Sequence, residues 1–344
     1  MYMQSGIDMN TNTGKRLYIQ EVSTRDGFQI EPGFIPTEKK VALINALSRT
    51  GLAKIEVTSF ASPKAIPALA DAEAVMRQIA RVPGVEYAAL VPNARGCERA
   101  LQSRVDEINI VMSASQSHNR ANLRMSCEQS LEAIQQVARI ARGRTHVNAS
   151  LSTAFGCPFD GEVSGGRVLD LVARFEQMGI DRVSLCDTTG MANPMQVKRL
   201  FTSVVERWPT FVFTAHFHNT RGMGLANALA ALDAGIDRFD ASLGGLGGCP
   251  FAPGASGNVC TEDLVHMFAA MGLATGVDLE ALLGLARELP AIVGHDVPGQ
   301  VMRAGVASRR YLKPEWSEAQ PTQSQREQGS SSALDPVCGQ GTGR

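Results

Sequence analysis

A closed (β/α)8 barrel, the TIM-barrel class of α/β fold, with a short C-terminal helical extension and a disordered tail, is what this sequence predicts. Three observations carry the prediction. Eight short runs rich in β-formers alternate with helical patterns, and such alternation gives parallel strands joined by right-handed crossovers. The eight units fill roughly 260 residues, close to what a barrel of this kind needs. No G-x-G-x-x-G follows the first β-run, which disfavours the open doubly wound sheet.

The elements follow in order. RLYIQEV (Arg16–Val22) opens as a strand. TEKKVALINALSRTG then reads as a helix capped by Thr37, with Val41, Ile44 and Leu47 on one face and Gly51 as its stop. AKIEVTSF (Ala53–Phe60) is the second strand, followed by a helix over Ala68–Ala80. VEYAALVP, DEINIVMS, THVNASLS and DRVSLCD supply strands three to six, each trailed by a helical segment. FVFTAHFH (Phe211–His218) and DRFDASLGG (Asp237–Gly245) complete the set. Beyond Gly272, DLEALLGLAREL and a weaker segment near Val301 add two helices. From about Pro314 the chain is polar, aperiodic and rich in Ser, Gln and Gly, too poor in apolar surface to offset its ordering entropy. Residues 1–15 are thus expected to be a flexible N-terminus, 16–312 the barrel domain and 313–344 a tail.

Composition narrows the function classes. A hydrophobic fraction of 44% supports a sizeable core, and a net charge of −1 suggests neither nucleic acid nor a membrane surface as partner. The seven cysteines form no C-x-x-C pair and read as reduced thiols, consistent with a cytoplasmic protein. The first twenty residues lack the apolar core of a secretory signal, and no run of 18 apolar residues predicts a membrane span.

In a barrel, chemistry gathers where the strands end. The first run ends in EVSTRDGFQ, which offers Glu21, Arg25 and Asp26; the second carries Glu56 and Ser59. The sixth ends at Asp187 and Thr188, and the seventh at His216 and His218. The eighth leads into GGLGGCPFAPGASGN, with Cys249 and Asn258. Two imidazoles two residues apart at a strand end face the same side. With the Asp26 carboxylate and the Asn258 carboxamide they form a nitrogen–oxygen set suited to Mg²⁺ or Mn²⁺, with Zn²⁺ also possible. Arg25 is placed to hold a developing enolate oxygen, and buried Glu21 and Glu56 are expected to pair with it. His118, His146, His266 and His295 show no convergent partner, and Cys157 and Cys186 read as packing thiols. Cys249 stands apart, because a segment so rich in glycine forms neither helix nor strand to bury it.

At these residues the chain resembles the 3-hydroxy-3-methylglutaryl-CoA lyase family. RDGFQIE, GLAKIEVTSFASPK, HFHNTRGMGLANALAALDAG and GGLGGCPFAPGASGNVCTEDL follow its signatures in order and spacing, and the likeness extends over about Arg16 to Leu289. The resemblance implies a divalent ion held by Asp26, His216, His218 and Asn258, and an enolate stabilised by Arg25. It implies that Cys249 takes part in proton transfer on a loop that covers the site, that Glu56 supports Arg25, and that Glu262 orders the loop and the metal surroundings. Ser59 and Thr188 are expected near the acyl-CoA substrate and Asp187 as a support, and a homo-oligomer, the dimer favoured, is the expected assembly. Asn219, Arg221, Cys186 and the Ser23–Thr24 pair depart from the common pattern. They leave the ligands and the thiol intact but bear on which acyl group is cleaved, so citramalyl-CoA is an alternative to 3-hydroxy-3-methylglutaryl-CoA.

Two rival readings belong to other classes. A condensing enzyme of the same superfamily usually carries a further C-terminal regulatory domain, where this chain shows a short extension and a tail. A barrel with a decayed site would not keep all of Arg25, Asp26, His216, His218, Cys249 and Asn258.

Overall fold

The computed structural model describes residues 16–248 and 257–313. The expectations for Cys249, for the N-terminal fifteen residues and for the tail from Pro314 onward lie outside the described residues. Eight parallel strands close into a barrel in sequence order: β1 Tyr18–Glu21, β2 Lys54–Ser59, β3 Glu86–Leu90, β4 Glu107–Ser113, β5 His146–Ser152, β6 Arg182–Asp187, β7 Val212–Phe217 and β8 Arg238–Ala241. β8 closes on β1 with Tyr18 level with Arg238 and Glu21 level with Ala241. Every predicted strand is present within one to four residues of its expected bounds.

The helices between them are α1 Thr37–Leu47, α2 Ala72–Gln78, α3 Ala94–Gln102, α4 Gln116–Leu123, α5 Cys127–Ala141, α6 Gly165–Gln177, α7 Pro194–Arg207, α8 Gly224–Asp233 and α9 Thr261–Ala270. α10 Leu279–Val293 and α11 Val301–Ala304 form the predicted extension. Side-chain oxygens of Asn93, Ser115, Ser126, Ser164, Asn193 and Asp278 accept the first free amides of their helices. Thr37 is not such a cap. It is the first residue of α1 itself, and its hydroxyl donates to Asp71 at 2.7 Å. The buried face of α1 is Lys40, Leu43, Ile44 and Leu47 rather than a stripe through Val41, because the Lys40 ammonium is drawn inward by Asp71 and the Ala68 carbonyl, both at 2.7 Å. Apolar side chains fill the layer between strands and helices, as where Phe155 meets Phe201 and Phe217, and Phe239 meets Phe268.

Inside the barrel the lining is polar and layered. At the floor, the first residues of four strands form an ionic lattice: Lys54 reaches Glu107 at 2.5 Å, and Arg182 reaches both Glu107 and Glu86 at 2.7 Å. Above it Asn109 accepts from Asn148 at 3.0 Å and from Ser150 at 2.8 Å, and Asn148 donates to Ser184 at 3.0 Å. The mouth, at the C-terminal ends of the strands, holds the remaining charge. This compact unit ends at Gly305; a second begins at Val306 and is described as far as Lys313, where the Arg309 guanidinium lies 5.0 Å from the centre of the Tyr311 ring. Among the described residues no helix is long and apolar enough to cross a membrane.

Candidate active site

The chain leaves β1 through a single π-helical turn, Ser23–Gly27, in which the amides of Arg25, Asp26 and Gly27 all point at the Val22 carbonyl. This unusual turn presents two adjacent side chains, Arg25 and Asp26, at the mouth. Glu21 anchors it from beneath. Its carboxylate accepts from the Ser23 amide at 2.8 Å, the Leu243 amide at 2.9 Å and the Thr261 hydroxyl at 2.7 Å. The expected pairing of Glu21 with Arg25 is therefore not observed. The carboxylate is satisfied by two amides and a hydroxyl, and it ties the ends of β1 and β8 to the start of α9. Burial raises its pKa despite these donors.

Glu56 is the partner of Arg25. The guanidinium donates through Nε to Glu56 Oε2 at 2.6 Å and through Nη1 to Asp26 Oδ1 at 2.5 Å. The register of β2 against β3 shifts between Glu56 and Thr58, a bulge beside this pair. Asn109 supports the other Glu56 oxygen at 2.8 Å. Burial opposes charge on Arg25, but Glu56 and Asp26 outweigh it and its pKa rises further. Burial likewise works against the Asp26 carboxylate, yet Arg25, the two histidines and Asn258 bring its pKa below the usual range.

His216, on β7, and His218, just beyond it, bring their rings to 5.3 Å. One ligand atom from each lies within 4.8 Å of the other and of an Asp26 oxygen. Asn258 arrives from a distant part of the chain. It forms an antiparallel bridge with His218, while the Val259 amide donates to the Phe217 carbonyl at 3.0 Å. Its Nδ2 donates to Asp26 Oδ2 at 2.8 Å and to the Leu246 carbonyl at 2.9 Å. Two glycines permit this approach. A Cβ on Gly247, at φ +96°, would fall 2.6 Å from Asn258 Nδ2, and one on Gly257, at φ +83°, would fall 2.1 Å from the Gly245 carbonyl oxygen. Part of the glycine signature is thus a matter of close packing.

The donor set fits a metal ion on two counts. Among the described residues Asn258 Oδ1 and His218 Nδ1 are buried with no hydrogen-bond partner, and such atoms call for an occupant. The carboxylates of Glu56, Asp26 and Asp240 outnumber the single Arg25 guanidinium, an excess of negative charge that a cation would balance. His218 is held neutral by burial and by neighbouring His216, its pKa pushed down to about 3. Burial opposes charge on His216 as well, but the hydrogen bond and charge of Asp240 outweigh it and raise its pKa.

The other expected residues lie around this centre in lesser roles. Asp187 folds back on its own loop, accepting from the Met191 and Ala192 amides, and burial lifts it to about 6. Thr188 accepts from the Thr153 amide at 3.0 Å, and Ser59 from the Ala61 amide at 3.1 Å. His295, read from sequence as having no partner, meets Glu31 at 2.8 Å. Sequence reasoning missed Asp240, which lies level with His216 in the β7–β8 pairing. The one available signal was an acidic residue near the end of the eighth β-run, DRFDASLGG.

Glu262 accepts the Gly244 amide at 3.0 Å and is fully buried. Burial lifts its pKa to about 8, so its contribution to stability is complete below the unfolded value near 4.5 and is lost as the pH rises through 8. Glu262→Gln should therefore lose less stability than wild type between pH 5 and pH 9, by a few kcal/mol at about 1.4 kcal/mol per pH unit. Parallel melting curves against pH for the two proteins would refute this.

The family model described as HMGL-like matches residues 16–288. The chain is 47% identical over 287 residues to a hydroxymethylglutaryl-CoA lyase of Bacillus subtilis, covering 83% of this chain and 96% of that one. It is 40% identical over 298 residues to an (R)-citramalyl-CoA lyase of Chloroflexus aurantiacus, covering 83% and 94%. A solved structure of an HMG-CoA lyase from Acinetobacter baumannii, in complex with coenzyme A and 3-methylmalate, superposes with a TM-score of 0.84 at 51% identity, covering 87% of this chain and 98% of that one.

Proposed function

The chain belongs to the HMGL-like family, and from that premise we propose that it is a carbon–carbon lyase that cleaves 3-hydroxy-3-methylglutaryl-CoA to acetyl-CoA and acetoacetate. The observation that carries this reading is the convergence of Arg25 and Asp26 from the β1 turn, His216 and His218 from β7 and Asn258 from the bridge beside it. Asp26, His216, His218 and Asn258 would hold a divalent ion, Mg²⁺ or Mn²⁺ best matching the donors, which supplies Lewis acidity toward the substrate oxygens.

The chain's own residues account for the rest. Asp26 takes the proton of the tertiary hydroxyl. As the carbon–carbon bond breaks, its electrons pass to the thioester and leave an enolate. Arg25, held by Glu56 and Asp26 before substrate arrives, donates to the enolate oxygen without reorganising. The enolate carbon then takes a proton, for which Cys249 is the proposed donor or relay. Ser59 and Thr188 are proposed to line the acyl pocket. The proposal includes a cytoplasmic homodimer as the working form.

A panel of 3-hydroxyacyl-CoA esters, assayed for acetyl-CoA release without any α-keto acid, tests the reading directly. The highest kcat/KM is expected with the 3-hydroxy-3-methylglutaryl ester, lost with a chelator and regained with Mg²⁺ or Mn²⁺. A preference for the citramalyl ester would support the second reading, which the 40% identical relative favours. No acetyl-CoA from any ester would refute lyase function, and full activity in metal-free protein would remove the ion from it.

A further inference from the structure

We propose that Asp240 is a positioning residue that aims His216 at the metal and holds it in the ligating tautomer. The proposal rests on the metal-site reading above. Asp240 Oδ2 lies 3.2 Å from His216 Nδ1, across the β7–β8 pairing that places the two residues side by side on the barrel wall. Both side chains are nearly buried, at 10% and 12% exposure, so the contact is shielded from water and from salt. An acceptor facing Nδ1 keeps the proton on that nitrogen. The lone pair then sits on Nε2, the nitrogen left to join the Asp26 and His218 donors. A carboxylate behind a ligating imidazole fixes its ring angle and increases its basicity, and removing it typically weakens metal binding about 10- to 100-fold.

Of the groups that line a cavity with Asp240, Glu56 is already engaged by Arg25 and Asn109, and Gln20 reaches Thr214. Asp240 and Glu56 line the same small polar cavity beneath the mouth, so the two carboxylates that brace Arg25 and His216 from below share one floor. Asp240 is therefore the second brace of the site, as Glu56 is the first.

The test compares wild type, Asp240→Asn and Asp240→Ala by Mn²⁺ titration calorimetry, with ¹⁵N spectra of the histidine rings as the readout that a structural role would not move. Asp240→Ala should weaken Mn²⁺ binding about 10- to 100-fold and shift the His216 ring nitrogens toward a mixture of tautomers. Asp240→Asn can still accept from Nδ1 and should fall between the two, with the wild-type ring pattern. Activity lost in Asp240→Ala should return as Mn²⁺ is raised. Equal Mn²⁺ affinity in all three proteins, or unchanged ring signals in Asp240→Ala, overturns the proposal alone. Wild type that takes up no Mn²⁺ overturns the metal reading and this proposal together.

Discussion

His216→Ala is expected to abolish turnover and to weaken Mn²⁺ binding sharply while the barrel stays folded. The ring contributes one of the two imidazoles in the Asp26, His216 and His218 group. Losing several kcal/mol of charge stabilisation corresponds to about a 10³-fold fall in rate or more. The substitution also leaves the Asp240 carboxylate buried without its imidazole, which costs stability as well. Activity and melting temperature should therefore fall together, with the larger effect on activity. Metal affinity and kcat within a few-fold of wild type would show that the ligand set is wrongly assigned.

Cys249→Ser should leave the fold and the metal affinity intact while kcat drops by about 10²- to 10⁴-fold, the usual share of a general acid or base. The argument is chemical. The hydroxyl is nearly the size of the thiol but a far weaker acid than a group whose pKa starts near 8.5. KM should change little, since the contribution is made in the transition state. In wild type the thiol should react with an alkylating agent and be protected by a CoA ester analogue. A serine variant running within a few-fold of wild type would leave water or Asp26 as the proton source.

The strands were legible because each is a short run rich in β-formers that alternates with a helical pattern, a signal local to the sequence. The H-x-H pair was legible for a similar reason, since two residues apart on a strand means the same side. What escaped was whatever depends on closure of the barrel. Asp240 meets His216 only because β8 pairs with β7 in one particular register, which no local pattern reveals. Glu21 was assigned to Arg25, its near neighbour, whereas its real partners include Leu243 and Thr261, more than 200 residues away in the chain. Thr37 looked like a cap, but a hydrogen bond to Asp71 on the next unit drew it into the helix. Nor could the sequence show that two glycines of the signature, Gly247 and Gly257, are needed for tight packing against Asn258 and Gly245.

The ionic lattice at the barrel floor bears on whether this fold can be divided. A cut between β4 and β5 would leave Lys54, Glu86 and Glu107 in one half and Arg182 in the other. The first half would carry two carboxylates and a single ammonium on a surface meant to face inward, an imbalance that opposes independent folding. The same cut parts Arg25 and Asp26 from His216, His218 and Asn258, so neither half would retain the whole reaction centre. For an engineer seeking split reporters or chimeric barrels, the seam is thus self-proofing: charge at the floor selects the correct complementary fragment, and catalysis at the mouth reports that the fragments have joined.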